Sequence, residues 1–154
     1  MDVEEVLTRC NRLQLREDEL YRSMARSFDM PETTFWVLYS LREPDLNTQA
    51  KLCQCLHQSK QSVNSALKRL ETDGFVQLEE DPEKRTQKYL RLTPKGEKLA
   101  QRSADVVRNA ELDTLSHLSD AERETMMRLR ERYTELLAVE MQRHREKARN
   151  LCED

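Results

Sequence analysis

Residues 47–96, NTQAKLCQCLHQSKQSVNSALKRLETDGFVQLEEDPEKRTQKYLRLTPKG, hold the change of pattern that decides the fold. Asn47 is placed to cap a short helix over Thr48 to Leu56, and Ser59 to cap a second over Lys60 to Thr72, because a side-chain oxygen there can accept from the orphan amides of a first helical turn. Gly74 then stands where a helix end needs a left-handed residue. From Phe75 the period drops to that of a strand. Phe75 to Leu78 and Tyr89 to Leu92, separated by a polar tip over Glu79 to Lys88, predict a two-stranded hairpin. Thr93 before Pro94 sets a cap ahead of proline at the first helical position, and predicts a helix running toward His117 through Leu99, Val106, Val107 and Ala110.

Outward from this centre the chain is helical. Val3, Val6, Leu7, Cys10, Leu13, Leu20, Tyr21, Met24 and Phe28 recur at three- and four-residue intervals and predict one long helix over residues 2–28, stopped before Pro31. Glu32 to Leu41 form a second helix ending ahead of Pro44. Ser119 with Glu122 is a capping box that launches a last helix, with Met126, Leu129, Tyr133, Leu136, Leu137 and Met141 on one stripe. The expected class is mostly α, with a small β-hairpin wing and long helices at both ends. No internal repeat or low-complexity linker breaks the 154 residues.

Composition agrees. An apolar fraction of 37% with 36% charged residues and two glycines suits long helices that each bury a single stripe. No run approaches the ~20 apolar residues of a membrane span. Met1, Asp2, Glu4 and Glu5 lack the pattern of a signal peptide, so a cytoplasmic location is expected, with reduced cysteines. The net charge of -3 hides a division. Lys84, Arg85, Lys88, Arg91, Lys95, Lys98 and Arg102 face only Glu97 between residues 84 and 102, whereas the first twenty residues are acidic.

In the second short helix Val63, Ala66, Leu67 and Leu70 share one face, leaving Gln61, Ser65 and Lys68 opposite and Ser62, Asn64 and Arg69 flanking. Such side chains can hydrogen-bond base edges or phosphates in a major groove, although on charge pattern alone a polar helix face is more often a solvated surface. The hairpin that follows favours the first reading. A wing beside a groove-reading helix can place a guanidinium in a narrow, negative minor groove.

The run from Thr48 to Gly96 resembles the winged helix-turn-helix of the MarR family of bacterial transcriptional regulators. The resemblance rests on Thr48-Gln49 with Leu52, on Ser59-Lys60-Gln61-Ser62-Val63, on Leu70-Glu71 with Asp73-Gly74-Phe75-Val76, and on Leu92-Thr93-Pro94-Lys95-Gly96. Three departures stand out: His57-Gln58 replaces a turn that often carries glycine, Glu83-Lys84-Arg85 replaces a wing-tip Asp-x-Arg, and the stretch from Arg85 to Leu92 is one residue longer than usual. The resemblance implies a DNA-binding lobe at residues 31–96, with helical dimerisation regions at 1–30 and 97–154. It implies a homodimer on a pseudopalindromic double-stranded operator, more often a repressor than an activator, released by a small-molecule effector. Lys60, Gln61, Ser62, Asn64, Ser65, Lys68 and Arg69 would read or grip DNA from the recognition helix, and Lys84, Arg85, Thr86, Gln87 and Lys88 from the wing. Tyr21, Met24, Phe28, Trp36 and Tyr39 are candidates for an effector crevice, although an aromatic and Met stripe at helical spacing is more often ordinary core.

Cysteine chemistry supplies the rivals. Some members of the family sense oxidants through a cysteine of the leading helix, which makes Cys10 a redox candidate, although its position on the apolar stripe favours packing. Cys53 and His57 share a helix face that Cys55 opposes, so no metal or other cofactor is expected. Nothing in the sequence has the spacing of a nucleophile with its base or of a phosphate-cradling loop, and no enzyme is expected. A winged helix serving only protein interaction, without DNA, stays open beside a thiol-sensing regulator.

Overall fold

The computed structural model describes residues 2–56, 58–80 and 88–150. Among the described residues nine elements follow one another: α1 (Val3–Ser27), α2 (Glu32–Ser40), α3 (Gln49–Leu56), α4 (Lys60–Thr72), β1 (Val76–Glu80), β2 (Lys88–Leu92), α5 (Pro94–Gln101), α6 (Ala104–Ser116) and α7 (Asp120–Asn150). The fold class is the one expected, a mostly helical chain with one antiparallel hairpin. Residues 1–110 and 111–154 form two compact units.

The first unit is built on two cores. One gathers Val37 and Leu38 of α2, Leu52 of α3, Val63, Ala66, Leu67 and Leu70 of α4, Val76 and Leu90 of the hairpin, and Ala104 of α6. Helices α2, α3, α4 and α6 and both hairpin strands contribute, so burial of these side chains, at about 1.5 to 3 kcal/mol for each large one, ties these elements into a single body. The hairpin pairs Val76 with Leu92, Leu78 with Leu90 and Glu80 with Lys88. Its second arm also reaches back before α3, where the Leu90 amide donates to the Asn47 carbonyl at 2.8 Å.

The second core centres on Phe35, fully buried, with Ala25 and Val107. It joins the end of α1 to α2 and α6. Asp29 makes that junction tight, adopting a φ of 52°, a left-handed conformation that aspartate tolerates better than most side chains.

Four local details differ from the sequence reading. Thr48 rather than Asn47 caps α3, its Oγ accepting from the Lys51 amide at 3.3 Å. Phe75 lies outside β1, because its amide closes the end of α4 on the Leu70 carbonyl at 2.8 Å. Cys10, expected on a packed stripe, is exposed in the single chain. The single helix expected from Pro94 toward His117 is two, α5 and α6, broken at Arg102 and Ser103. Ser103 is buried and its hydroxyl donates to the Leu99 carbonyl at 2.7 Å, a local bond that competes with helix continuation.

One ion cluster clamps the unit where α2 meets α5 and α6. Arg42 donates through Nε to Asp105 at 2.6 Å and through Nη1 to Glu97 at 2.5 Å, with a further bond from Nη2 to Asp105. Beside it Arg108 reaches Glu43 at 2.7 Å. The hydrogen bond from Arg42 holds the Asp105 carboxyl below the ordinary carboxylate range, against the opposing effect of burial, and the same bond raises the already high pKa of Arg42.

In the second unit the capping box is formed. Ser119 gives both its amide, at 2.8 Å, and its hydroxyl, at 2.7 Å, to the Glu122 carboxylate, and these bonds lower the Glu122 pKa. The 31-residue α7 that follows buries no residue of its own. No described helix is long and apolar enough to cross a membrane.

Candidate nucleic-acid interface

The interface is built on α4. Ser59 opens it as expected, its Oγ accepting from the Ser62 amide at 3.0 Å. Val63, Ala66, Leu67 and Leu70 turn inward. Lys60, Gln61, Ser62, Ser65, Lys68 and Arg69 are exposed, and Arg69 has Asp73 within 3.9 Å. Six of the seven residues expected to meet DNA from this helix therefore lie open along it. Asn64 does not: it is half-buried, and its Oδ1 accepts from the side-chain amide of Gln49 on α3.

The far end of α4 is fixed by backbone geometry. Gly74 takes a φ of 73°, its amide bonds the Glu71 carbonyl at 2.9 Å, and the Phe75 amide bonds Leu70, which together make a Schellman ending. The foot of the hairpin locks onto this turn. Thr93 donates its hydroxyl to the Gly74 carbonyl at 2.6 Å while accepting from the Gly96 amide at 3.0 Å, so one side chain caps α5 and holds α4. Lys95 donates to the Asp73 carbonyl at 2.7 Å and lies 4.5 Å from the centroid of the Phe75 ring. A Cβ on Gly96 would fall 1.9 Å from the Phe75 carbonyl oxygen, which explains glycine there.

These contacts revise the basic stretch read from the sequence. Lys95 is engaged at the joint and Arg91 is paired with Glu79 across the hairpin, so neither is a free cation for a phosphate. Lys88 is exposed, opposite Glu80. Lys84, Arg85, Thr86 and Gln87, the other wing residues expected to meet DNA, lie outside the described residues. Between α4 and the hairpin runs a groove of about 170 Å³ lined by Gln49, Asn64, Lys68, Glu71, Leu78 and Lys88 among others. Gln49 is the residue that reasoning from sequence missed as a functional candidate. The only signal for it was its place at the start of the first short helix.

The five residues expected to line an effector crevice do come together, around Phe35. Trp36 stands 5.2 Å from Tyr21 and 5.5 Å from Tyr39 between ring centroids, while Phe28 stacks on Phe35 at 6.1 Å, and Met24 packs on the same cluster. All five are half-buried. Of the thiols, Cys53 packs against the first core and Cys55 is exposed, while His57 lies outside the described residues.

A paired-helix reader with a hairpin wing, held in one core with the start of a long helical frame, defines a winged helix-turn-helix protein. Its family resemblance is carried by direct comparison: residues 28–85 match the model of the MarR family. Comparison with curated proteins finds no match. Among solved structures, the MarR family regulator NMB1585 of Neisseria meningitidis superposes with a TM-score of 0.73 at 19% identity, over 94% of this chain and 99% of that one. MarR of Staphylococcus aureus, in complex with salicylate and kanamycin, gives 0.66 at 17% identity over 89% and 93%. A mutant of S. aureus MepR bound to an oligodeoxyribonucleotide gives 0.50 at 20% identity over 90% and 99%. The chain thus has the fold of MarR family transcription regulators across nearly its whole length.

Proposed function

We propose that this protein is a sequence-specific transcriptional regulator that binds double-stranded DNA as a homodimer, represses, and is released by a small-molecule effector. The observation that carries the reading is the α4 face: a row of exposed Gln, Ser, Lys and Arg side chains on a helix whose opposite face is locked in the core, beside a wing with Lys88 exposed. A helix that rigid can present hydrogen-bonding groups to base edges, and phosphate contacts set its register. Two such helices read successive grooves when they sit about 34 to 36 Å apart, or a multiple of it, which is what makes the expected operator pseudopalindromic. The DNA-bound MepR mutant supports the partner, and S. aureus MarR in complex with salicylate and kanamycin supports a small-molecule ligand. Here the cluster around Phe35 is the site we assign to it, since it joins α1 to α2 and α6, and a ligand wedged there would favour a different lobe setting.

Selection of binding sites from random duplex DNA, followed by a salt titration, tests the reading. A defined palindromic site is expected, with log affinity falling linearly in log salt; Lys88→Ala should reduce that slope by about 0.9 for each of the dimer's two lysines that meets a phosphate. Arg85→Ala should cost about 1 to 3 kcal/mol if its guanidinium enters the minor groove. Absence of any selected site, with salt-insensitive capture of a protein instead, would favour the interaction-module alternative.

A further inference from the structure

Asn64 lies halfway along α4 at the edge of its exposed face, three residues from Gln61 and four from Lys68, both exposed, so it borders the same stripe. Its amide is nevertheless committed at one end. Gln49, fifteen residues earlier and on another helix, donates its Nε2 hydrogen to Asn64 Oδ1, and both side chains line the groove between α4 and the hairpin. An asparagine that is free can offer either its oxygen or its NH2 group, or both at once to adenine. One whose oxygen is turned toward a donor presents the NH2 group.

We infer that Gln49 is a positioning residue for base recognition: with its Nε2 hydrogen on Asn64 Oδ1, the arrangement seen here, Asn64 presents its NH2 group, so the base edge or backbone atom that Asn64 meets is an acceptor. In the major groove such acceptors are guanine O6 and N7, thymine O4 and adenine N7. The inference rests on the DNA-binding reading given above and adds to it a specificity residue that lies outside the recognition helix.

The chemistry gives an inverting substitution. A glutamate at position 49 keeps the length of the side chain but can only accept when ionised. Asn64 must then turn its NH2 group toward the new carboxylate and expose Oδ1, and the preferred base edge becomes a donor, cytosine N4 or adenine N6. An alanine at position 49 removes the constraint, so both orientations become accessible.

Site selection with the intact protein, Gln49→Glu, Gln49→Ala and Asn64→Ala reads this directly. The expected result for Gln49→Glu is a change of preferred base at one position of each half-site, away from guanine or thymine, which offer only acceptors, toward cytosine or adenine, which offer a donor, with the other positions retained. Gln49→Ala should reduce discrimination at that same position by about fivefold or more. In an Asn64→Ala background, Gln49→Glu should change nothing, because the effect passes through Asn64. A purely structural role of Gln49 would weaken binding to all sequences alike. Identical base preferences for the wild-type protein and both Gln49 variants overturn the inference while leaving the regulator reading intact. Failure of the wild-type protein to select any sequence overturns both. The side-chain NH2 resonances of Asn64 and Gln49 in the free protein give a check independent of DNA: Gln49→Ala should shift the Asn64 pair, and an unchanged Asn64 pair counts against the coupling.

Discussion

Helices α4 and α7 are both amphipathic by pattern, yet the first buries four residues in 13 and the second none in 31. The apolar side of α4 is covered by α2, α3 and the hairpin within the same chain. On α7, Tyr133, Leu136 and Met141 are each more than half exposed. Valine and leucine on α1 behave like α7, with Val3, Leu13, Leu15 and Leu20 open to solvent, until Tyr21 and Ala25 enter the aromatic core. The contrast separates a lobe that buries its own apolar face from helical arms whose stripes lie open in the single chain. A single chain cannot cover apolar rows of that length at no cost, and a symmetric second copy is the commonest cover.

The largest expected effect breaks the arms. Leu136→Glu puts a charge on the stripe of α7 and should convert a dimer to a monomer, seen by light scattering, with a melting temperature that no longer rises with protein concentration. A stable, folded wild-type monomer at micromolar concentration would dissolve the comparison, since the arms would then need no cover.

The next breaks the lobe. Gly96→Ala must displace either the new Cβ or the Phe75 carbonyl, 1.9 Å apart as they stand, and should cost roughly 3 kcal/mol or more in urea unfolding. A loss under about 1 kcal/mol would mean that the foot of the hairpin yields easily. In that case the lobe is less rigid than its core implies.

A smaller effect sharpens the boundary between the two kinds of region. Asp105, with 22% of its side chain exposed, binds Arg42 across the base of the lobe. Its folded pKa is lowered, chiefly by the Arg42 hydrogen bond. The stabilisation is therefore complete above the unfolded value of about 3.9 and is lost as pH falls through the folded one. Asp105→Asn should destabilise by about 1 to 2 kcal/mol at pH 7, and the difference from wild type should vanish in strong acid. A difference that does not change with pH would assign the effect to packing instead of charge.

How much of this was legible in sequence follows from the range of each cause. Helix α4 was readable to the residue, because Ser59, the inward-facing Val63, Ala66, Leu67 and Leu70, and Gly74 are all local signals. The capping box of α7 was readable for the same reason. The break between α5 and α6 was not: neither glycine nor proline marks it, and Ser103 acts through burial and a bond to Leu99. At the site, the exposed face of α4 was legible from period alone. The Gln49 bond to Asn64 spans two helices, and the removal of Lys95 and Arg91 from the free basic groups depends on partners 22 and 12 residues away. Charge counting along the chain could see neither.

Both glycines of the chain meet at one joint, Gly74 in the turn that ends α4 and Gly96 against the Phe75 carbonyl. Thr93 and Lys95 pin the same joint, and the register of the arms is set there by the pairing of Val76 with Leu92. The joint therefore works as a single rivet through two elements: Thr93→Ala removes in one step the bond that holds the end of α4 and the cap that opens α5.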